Sequence, residues 1–154
     1  MKRLIALLFA VSLLFSLCAC NGNQADTPSG VNIAAVDVDL TTLSSTMVYS
    51  EVYNMMVSPE SYVGKAVKMR GQFALYQSVD ENGNLIPDQI YFACVIADAA
   101  ACCSQGLEFI LAGEHSYPDD YPELGTEITV VGTFQTYEEN GYMYCHLVDA
   151  EMVE

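Results

Sequence analysis

The sequence predicts a small, mostly β domain preceded by one helix, and three observations predict it. From Ala66 onward, apolar and polar residues alternate with the period of a half-buried strand. Turn-forming stretches, "DENGN" at 80–84 and "EENG" at 138–141, separate two pairs of such runs. A single stretch of helical spacing, residues 45–57, stands ahead of them all.

In that stretch Val48, Val52, Met55 and Met56 recur at helical intervals, and Tyr49 and Tyr53 widen the stripe. Ser44, Ser45 or Thr46 can cap its start, and Ser58-Pro59 ends it, because a residue before proline is pushed out of helical geometry. Met55 and Met56 are expected in the core. The first strand is "AVKMRGQFALY", with Val67, Met69, Gly71, Phe73 and Leu75 on one face and Lys68, Arg70 and Gln72 on the other. Its glycine marks a bend or a close approach of another chain segment. "QIYFACVIAD" at 89–98 is nearly all apolar, so both of its faces are expected to be covered. "GLEFILAG" is a short third strand, and the acidic, proline-containing loop "EHSYPDDYPELG" follows it. "TEITVVGTFQTY" and "YMYCHLVDAEMV" are the fourth and fifth.

Five strands, with hairpins joining the first to the second and the fourth to the fifth, and a glycine inside the first and fourth, fit a five-stranded Greek-key barrel of the OB type. The helix precedes the first strand, and the loop at 113–125 stands where such barrels carry a helix between strands three and four.

The chain begins "MKRLIALLFAVSLLFSLCAC", a basic start followed by an apolar run too short for a stable membrane span, which reads as an export signal. Leu17-Cys18-Ala19-Cys20 resembles a lipobox, making Cys20 the expected lipid-modified (palmitate-carrying) N-terminus of the mature chain. "NGNQADTPSG" then supplies a polar tether. The expected organisation is a lipoprotein signal over 1–20, a tether over 21–40 and the barrel domain with its helix over 41–154. The expected location is the extracytoplasmic face of the cell membrane, held there by lipid.

The signal removes Lys2 and Arg3 but no acid, leaving Lys65, Lys68 and Arg70 against twenty acidic residues. A nucleic-acid binder needs a basic surface to displace counterions from phosphates, so nucleic acid is excluded as a partner. Four cysteines besides Cys18 and Cys20 remain: Cys94, Cys102, Cys103 and Cys145. With His146 they form the candidate metal set, since thiolate and imidazole suit zinc. Packing and disulfides are the alternatives, the latter with three connectivities, although neighbouring cysteines bridge each other only under strain. Cys145 and His146 point to opposite faces of the fifth strand, so both do not easily serve one site.

"DENGNLIPD" imitates the first ligand positions of a calcium loop at Asp80, Asn82 and Asn84, but Leu85 stands where glycine is required, and a hairpin turn is the better reading. His115 with Asp119, Asp120 and Glu123 reads as a solvated loop. Tyr91, Tyr142 and Tyr144 are candidate ligand-stacking residues, because OB barrels bind across their second and third strands. No catalytic motif is present, so an enzyme is not expected.

"YVGKAVKMRGQF", "CCSQGLEF" and "LGTEITVVGTF" together resemble a group of uncharacterised lipoproteins of Gram-positive anaerobes. More distantly they resemble the C-terminal domain of membrane proteins assigned as subunits of a two-component permease. The resemblance spans roughly residues 59–137 and implies an OB-like domain outside the membrane, with an envelope or permease-type protein as partner. In those proteins the vicinal cysteines precede an Ala-Asp-Ala segment, whereas here Ala97-Asp98-Ala99 comes first. The functional expectation is a binding or accessory module of the cell envelope; a metal- or thiol-handling lipoprotein is the alternative.

Overall fold

The computed structural model describes residues 35–154; the signal segment, Cys20 and the first part of the tether lie outside the described residues. The elements are β1 (Val38–Asp39), α1 (Ser45–Val57), β2 (Ala66–Val79), β3 (Leu85–Ala97), β4 (Ser104–Leu111), β5 (Glu127–Glu139) and β6 (Tyr142–Val153). Short 3-10 turns at Leu40–Thr42 and Pro59–Ser61 flank the helix. The five expected strands and the helix are all present, and β4 runs into β5 without an intervening helix. Among the described residues no helix is long and apolar enough to cross a membrane.

The strands form one six-stranded sheet in the order β1-β2-β3-β4-β6-β5, and β2 pairs with β5 as well as β3. Both hairpins, β2–β3 and β5–β6, are antiparallel, whereas β4 and β6 run parallel. The strand β2 serves two partners by dividing its length. Ala66 to Gln72 pair with β5, and Gln72 to Val79 pair with β3.

The change of partner falls at Gln72, and the adjoining Gly71 answers a steric requirement. A Cβ there would lie 2.5 Å from the Val95 carbonyl oxygen and 3.0 Å from Cys94 Sγ. No other residue leaves room for β3 to pass this close.

Alternation along each strand delivers the core: Val67, Met69 and Phe73 from β2, Cys94 from β3, Leu107 and Phe109 from β4, Val130 and Phe134 from β5, Leu147 and Ala150 from β6. Val52 and Met55 of α1 pack into the same cluster, and the helix lies against β3, β4 and β6. Burying each such aliphatic side chain contributes about 1.5–3 kcal/mol. Met56 departs from expectation. It is 38% exposed, because the helix face that meets the sheet is centred on Val52 and Met55.

The ordered domain starts before residue 41. Val38 and Asp39 pair in parallel with Val67 and Lys68, Leu40 is buried, and the Asp39 carboxylate accepts the Thr41 N–H at 2.9 Å. A two-residue strand has too little pattern to stand out from a tether.

Candidate functional site

Because Cys94 points into the core, its neighbours Tyr91, Ala93 and Val95 share the opposite face of β3. Gly106 and Glu108 lie on the matching face of β4, opposite the buried Leu107 and Phe109. These residues line a groove of about 540 Å³ that runs from the β2–β3 hairpin, at Tyr76 and Ser78, to the β5–β6 hairpin, at Glu139, Asn140 and Met143.

Two tyrosine–carboxylate pairs organise it. The Tyr137 hydroxyl donates to Glu108 Oε2 at 2.6 Å, and the Tyr91 hydroxyl lies 2.9 and 3.0 Å from the two Glu139 oxygens. Burial pushes the Glu108 carboxyl above its ordinary range, partly offset by the Tyr137 hydroxyl and reinforced by the charge of Glu139. The Tyr137 phenol is itself pushed up, first by burial and then by its bond to Glu108.

Tyr137 is also the middle of an aromatic stack. Its ring centre lies 5.4 Å from Tyr144, with the planes 23° apart, and 4.6 Å from His146. Burial holds His146 below its usual pKa, and its Nδ1 has no hydrogen-bond partner among the described residues. Among the described residues the groove lining includes no lysine, arginine or histidine.

Of the ligand-stacking tyrosines expected from sequence, Tyr91 and Tyr144 line this groove. Tyr142 does not; it is 69% exposed beside the hairpin turn. Tyr137 and Glu108 were not anticipated. For Tyr137 a signal existed: Asn140-Gly141 is a two-residue turn with both residues at positive φ, so counting outward from it sets Tyr137 opposite Tyr144.

The expected metal set is divided among four places. Cys94 is wholly buried in the core, where burial pushes its thiol up to about 12. Cys145 is half-buried beneath α1, its Sγ 3.8 Å from the Met55 carbonyl oxygen, and His146 stands on the opposite face in the stack. Strand parity separates these two, and the helix covers the side on which Cys145 emerges. All four cysteines are free thiols.

Cys102 and Cys103 stay together in the β3–β4 connection and gain a partner that the sequence reading had not assigned. Cys102 Sγ lies 3.1 Å from Asp98 Oδ2 and 3.7 Å from Cys103 Sγ. One ligand atom from each of the three residues falls within 4.8 Å of the others. Asp98 shapes the loop as well, accepting the Ala100 and Cys102 N–H groups at 3.1 and 2.9 Å and donating its own to the Cys103 carbonyl. The Cys102 thiol holds the Asp98 carboxyl below its usual range, and the carboxylate in turn pushes that thiol up.

The remaining candidates resolve into turn chemistry. Asp80 accepts the Asn82 and Asn84 N–H groups at 2.8 Å each, which closes the hairpin. His115 Nε2 lies 2.9 Å from the Ala112 carbonyl oxygen, and Nδ1 is 4.0 Å from Asp120. A larger and more open depression, of about 810 Å³, is lined by Arg70, Asp120, Tyr121, Glu127 and Glu154 among others; it mixes charge signs, and its Tyr121 ring stacks on Phe92 and Phe73 beneath it. Comparison with protein-family models, with curated proteins and with solved structures returns no match, and the residues alone carry the functional reading.

Proposed function

We propose that this chain is a lipid-anchored, extracytoplasmic binding or accessory module of the cell envelope, whose sheet closes into an OB-like Greek-key barrel and whose groove takes a positively charged group. Support for the barrel is the run of pairings β2–β3–β4–β6–β5 that returns to β2, which leaves those five strands without a free edge. Support for the anchor is the lipobox-like Leu17-Cys18-Ala19-Cys20. An envelope or permease-type protein presenting a basic segment is the partner class that suits the site.

The observation that carries the reading is the pairing of Glu108 with Tyr137 and Glu139 with Tyr91 along one groove whose lining, among the described residues, has no cationic side chain. Carboxylates attract a lysine or arginine group, and a tyrosine face adds about 0.5–2 kcal/mol of cation–π attraction. An anionic ligand meets repulsion instead.

The chain has no tryptophan to mask tyrosine fluorescence, and four of its ten tyrosines, Tyr76, Tyr91, Tyr137 and Tyr144, line the groove. Titration of the mature chain with a short lysine- and arginine-containing peptide is expected to give binding that weakens with salt. Tyr144→Ala and Glu108→Gln should weaken it by about tenfold or more. Equal binding of a glutamate peptide or a neutral oligosaccharide, or unaltered binding by both variants, would refute the assignment. For the anchor, the mature N-terminus should carry the mass of lipid on Cys20, and Cys20→Ala should release the chain from membranes.

A further inference from the structure

We infer that the β3–β4 loop is a surface site for a soft or borderline divalent cation such as zinc, held by the Cys102 and Cys103 thiolates with the Asp98 carboxylate as third ligand. This is independent of the groove, which lies on other residues.

The spacing matches what the ion demands. With zinc–sulfur bonds of about 2.3 Å at a tetrahedral angle, two ligating sulfurs stand about 3.8 Å apart. The Cys102 and Cys103 sulfurs are 3.7 Å apart. The same geometry sets a carboxylate oxygen about 3.5 Å from each sulfur. Asp98 Oδ2 is 3.1 Å from Cys102 Sγ while a thiol proton sits between them. Exchanging that proton for the metal lengthens this oxygen–sulfur separation by only about 0.4 Å.

The loop holds this arrangement before any ion arrives. Asp98 Oδ1 is occupied by the Ala100 and Cys102 N–H groups, which leaves Oδ2 as the free oxygen facing the sulfurs. Ala101 at φ 53° turns the chain back so that Cys102 returns over Asp98. A disulfide within the pair would need the sulfurs at about 2.05 Å and a strained backbone, so these neighbours are better suited to chelation than to bridging each other.

Binding releases two thiol protons to solvent, and the complex of a divalent ion with two thiolates and one carboxylate carries one negative charge. Both cysteines are exposed, so the fourth coordination position faces solvent and is open to water or to an incoming ligand. A site of this kind keeps an open coordination position through which an incoming ligand can take up the ion, unlike a closed four-ligand structural site.

The test uses the full chain, reduced and handled without oxygen, titrated with Zn²⁺ against a chromogenic chelator while released protons are counted. One equivalent of zinc and about two protons are expected. Cys102→Ser and Cys103→Ser should each abolish this binding, and Asp98→Asn should weaken it by about tenfold or more. Cys94→Ala, Cys145→Ala and Tyr144→Ala should leave the stoichiometry unchanged, and circular dichroism checks that each variant is folded. Three outcomes would overturn the assignment: zinc retained by the double variant Cys102→Ser, Cys103→Ser; zinc lost on changing Cys145 or His146; or half an equivalent per chain, which would mean two chains sharing an ion through four thiolates without Asp98.

Discussion

The four thiols occupy three environments, and their rates of alkylation measure the fold directly. Cys94 is wholly buried and its thiol is raised from 9.0 to about 12 by burial alone. At pH 8 a thiol with pKa 9.0 is about one-tenth thiolate, and one at 12 is about one ten-thousandth, so ionisation alone slows Cys94 by about a thousandfold. Closure of the core slows it further, and labelling then proceeds only through unfolding. Cys102 and Cys103 are exposed, and Cys145 is half-buried beneath the helix. Brief iodoacetamide treatment of the folded chain, followed by peptide mapping, should label Cys102 and Cys103 first, Cys145 next and Cys94 last. In denaturant the differences should vanish. Asp98→Asn should accelerate Cys102 specifically, because the carboxylate is the main cause of its raised thiol. Labelling of Cys94 in the folded chain within about tenfold of Cys103 would refute the reasoning, since it would mean that β3 does not bury that face.

Three further perturbations test the packing. Gly71→Ala drives a methyl group against the Val95 carbonyl and should cost about 1–3 kcal/mol, read as a lower midpoint in urea. Met55→Ala should cost about 2–5 kcal/mol by opening the helix–sheet contact, whereas Met56→Ala, one residue on but exposed, should stay within about 0.5 kcal/mol. Tyr62, which donates to Glu51 at 2.7 Å, has its phenol raised to about 12 by burial first and that carboxylate second. A raised acid holds its proton more tightly when folded, so this stability is complete below pH 10 and is lost as pH rises towards 12. Denaturant midpoints taken across that range should fall less steeply for Tyr62→Phe.

Much of the fold was legible because burial on one face writes itself into alternation. Val67, Met69 and Phe73 fall inside as the spacing predicts, and Ser58 ends the helix where the proline signal puts it, while Ser44, one of three expected caps, bounds its start without a side-chain capping hydrogen bond. Leu75 reads as a core residue by the same alternation but lies outside the core cluster. At that point β2 has left β5 and pairs only within the hairpin, a change of partner that periodicity does not record. Met56 misleads for a related reason: helical spacing defines a stripe, but only the docked sheet decides which edge of the stripe is covered.

The two candidate sites were legible to different degrees, and the difference lies in sequence separation. Asp98 and Cys102 are four residues apart in one loop, so their contact is local and needs only a turn that brings the chain back, which Ala101 at positive φ provides. The groove, by contrast, joins Tyr91 to Glu139 across 48 residues and Tyr137 to Glu108 across 29. Neither tyrosine–glutamate pair exists until β4 lies beside both β3 and β6, a neighbourhood set by the non-sequential β4–β6 contact rather than by any hairpin. The same non-local step parts the cysteines, since it encloses Cys94 while α1 covers Cys145. Perturbing the β4–β6 contact should therefore disturb the groove and the buried thiols together while leaving the Asp98–Cys102–Cys103 loop intact, because that loop is closed by its own hydrogen bonds.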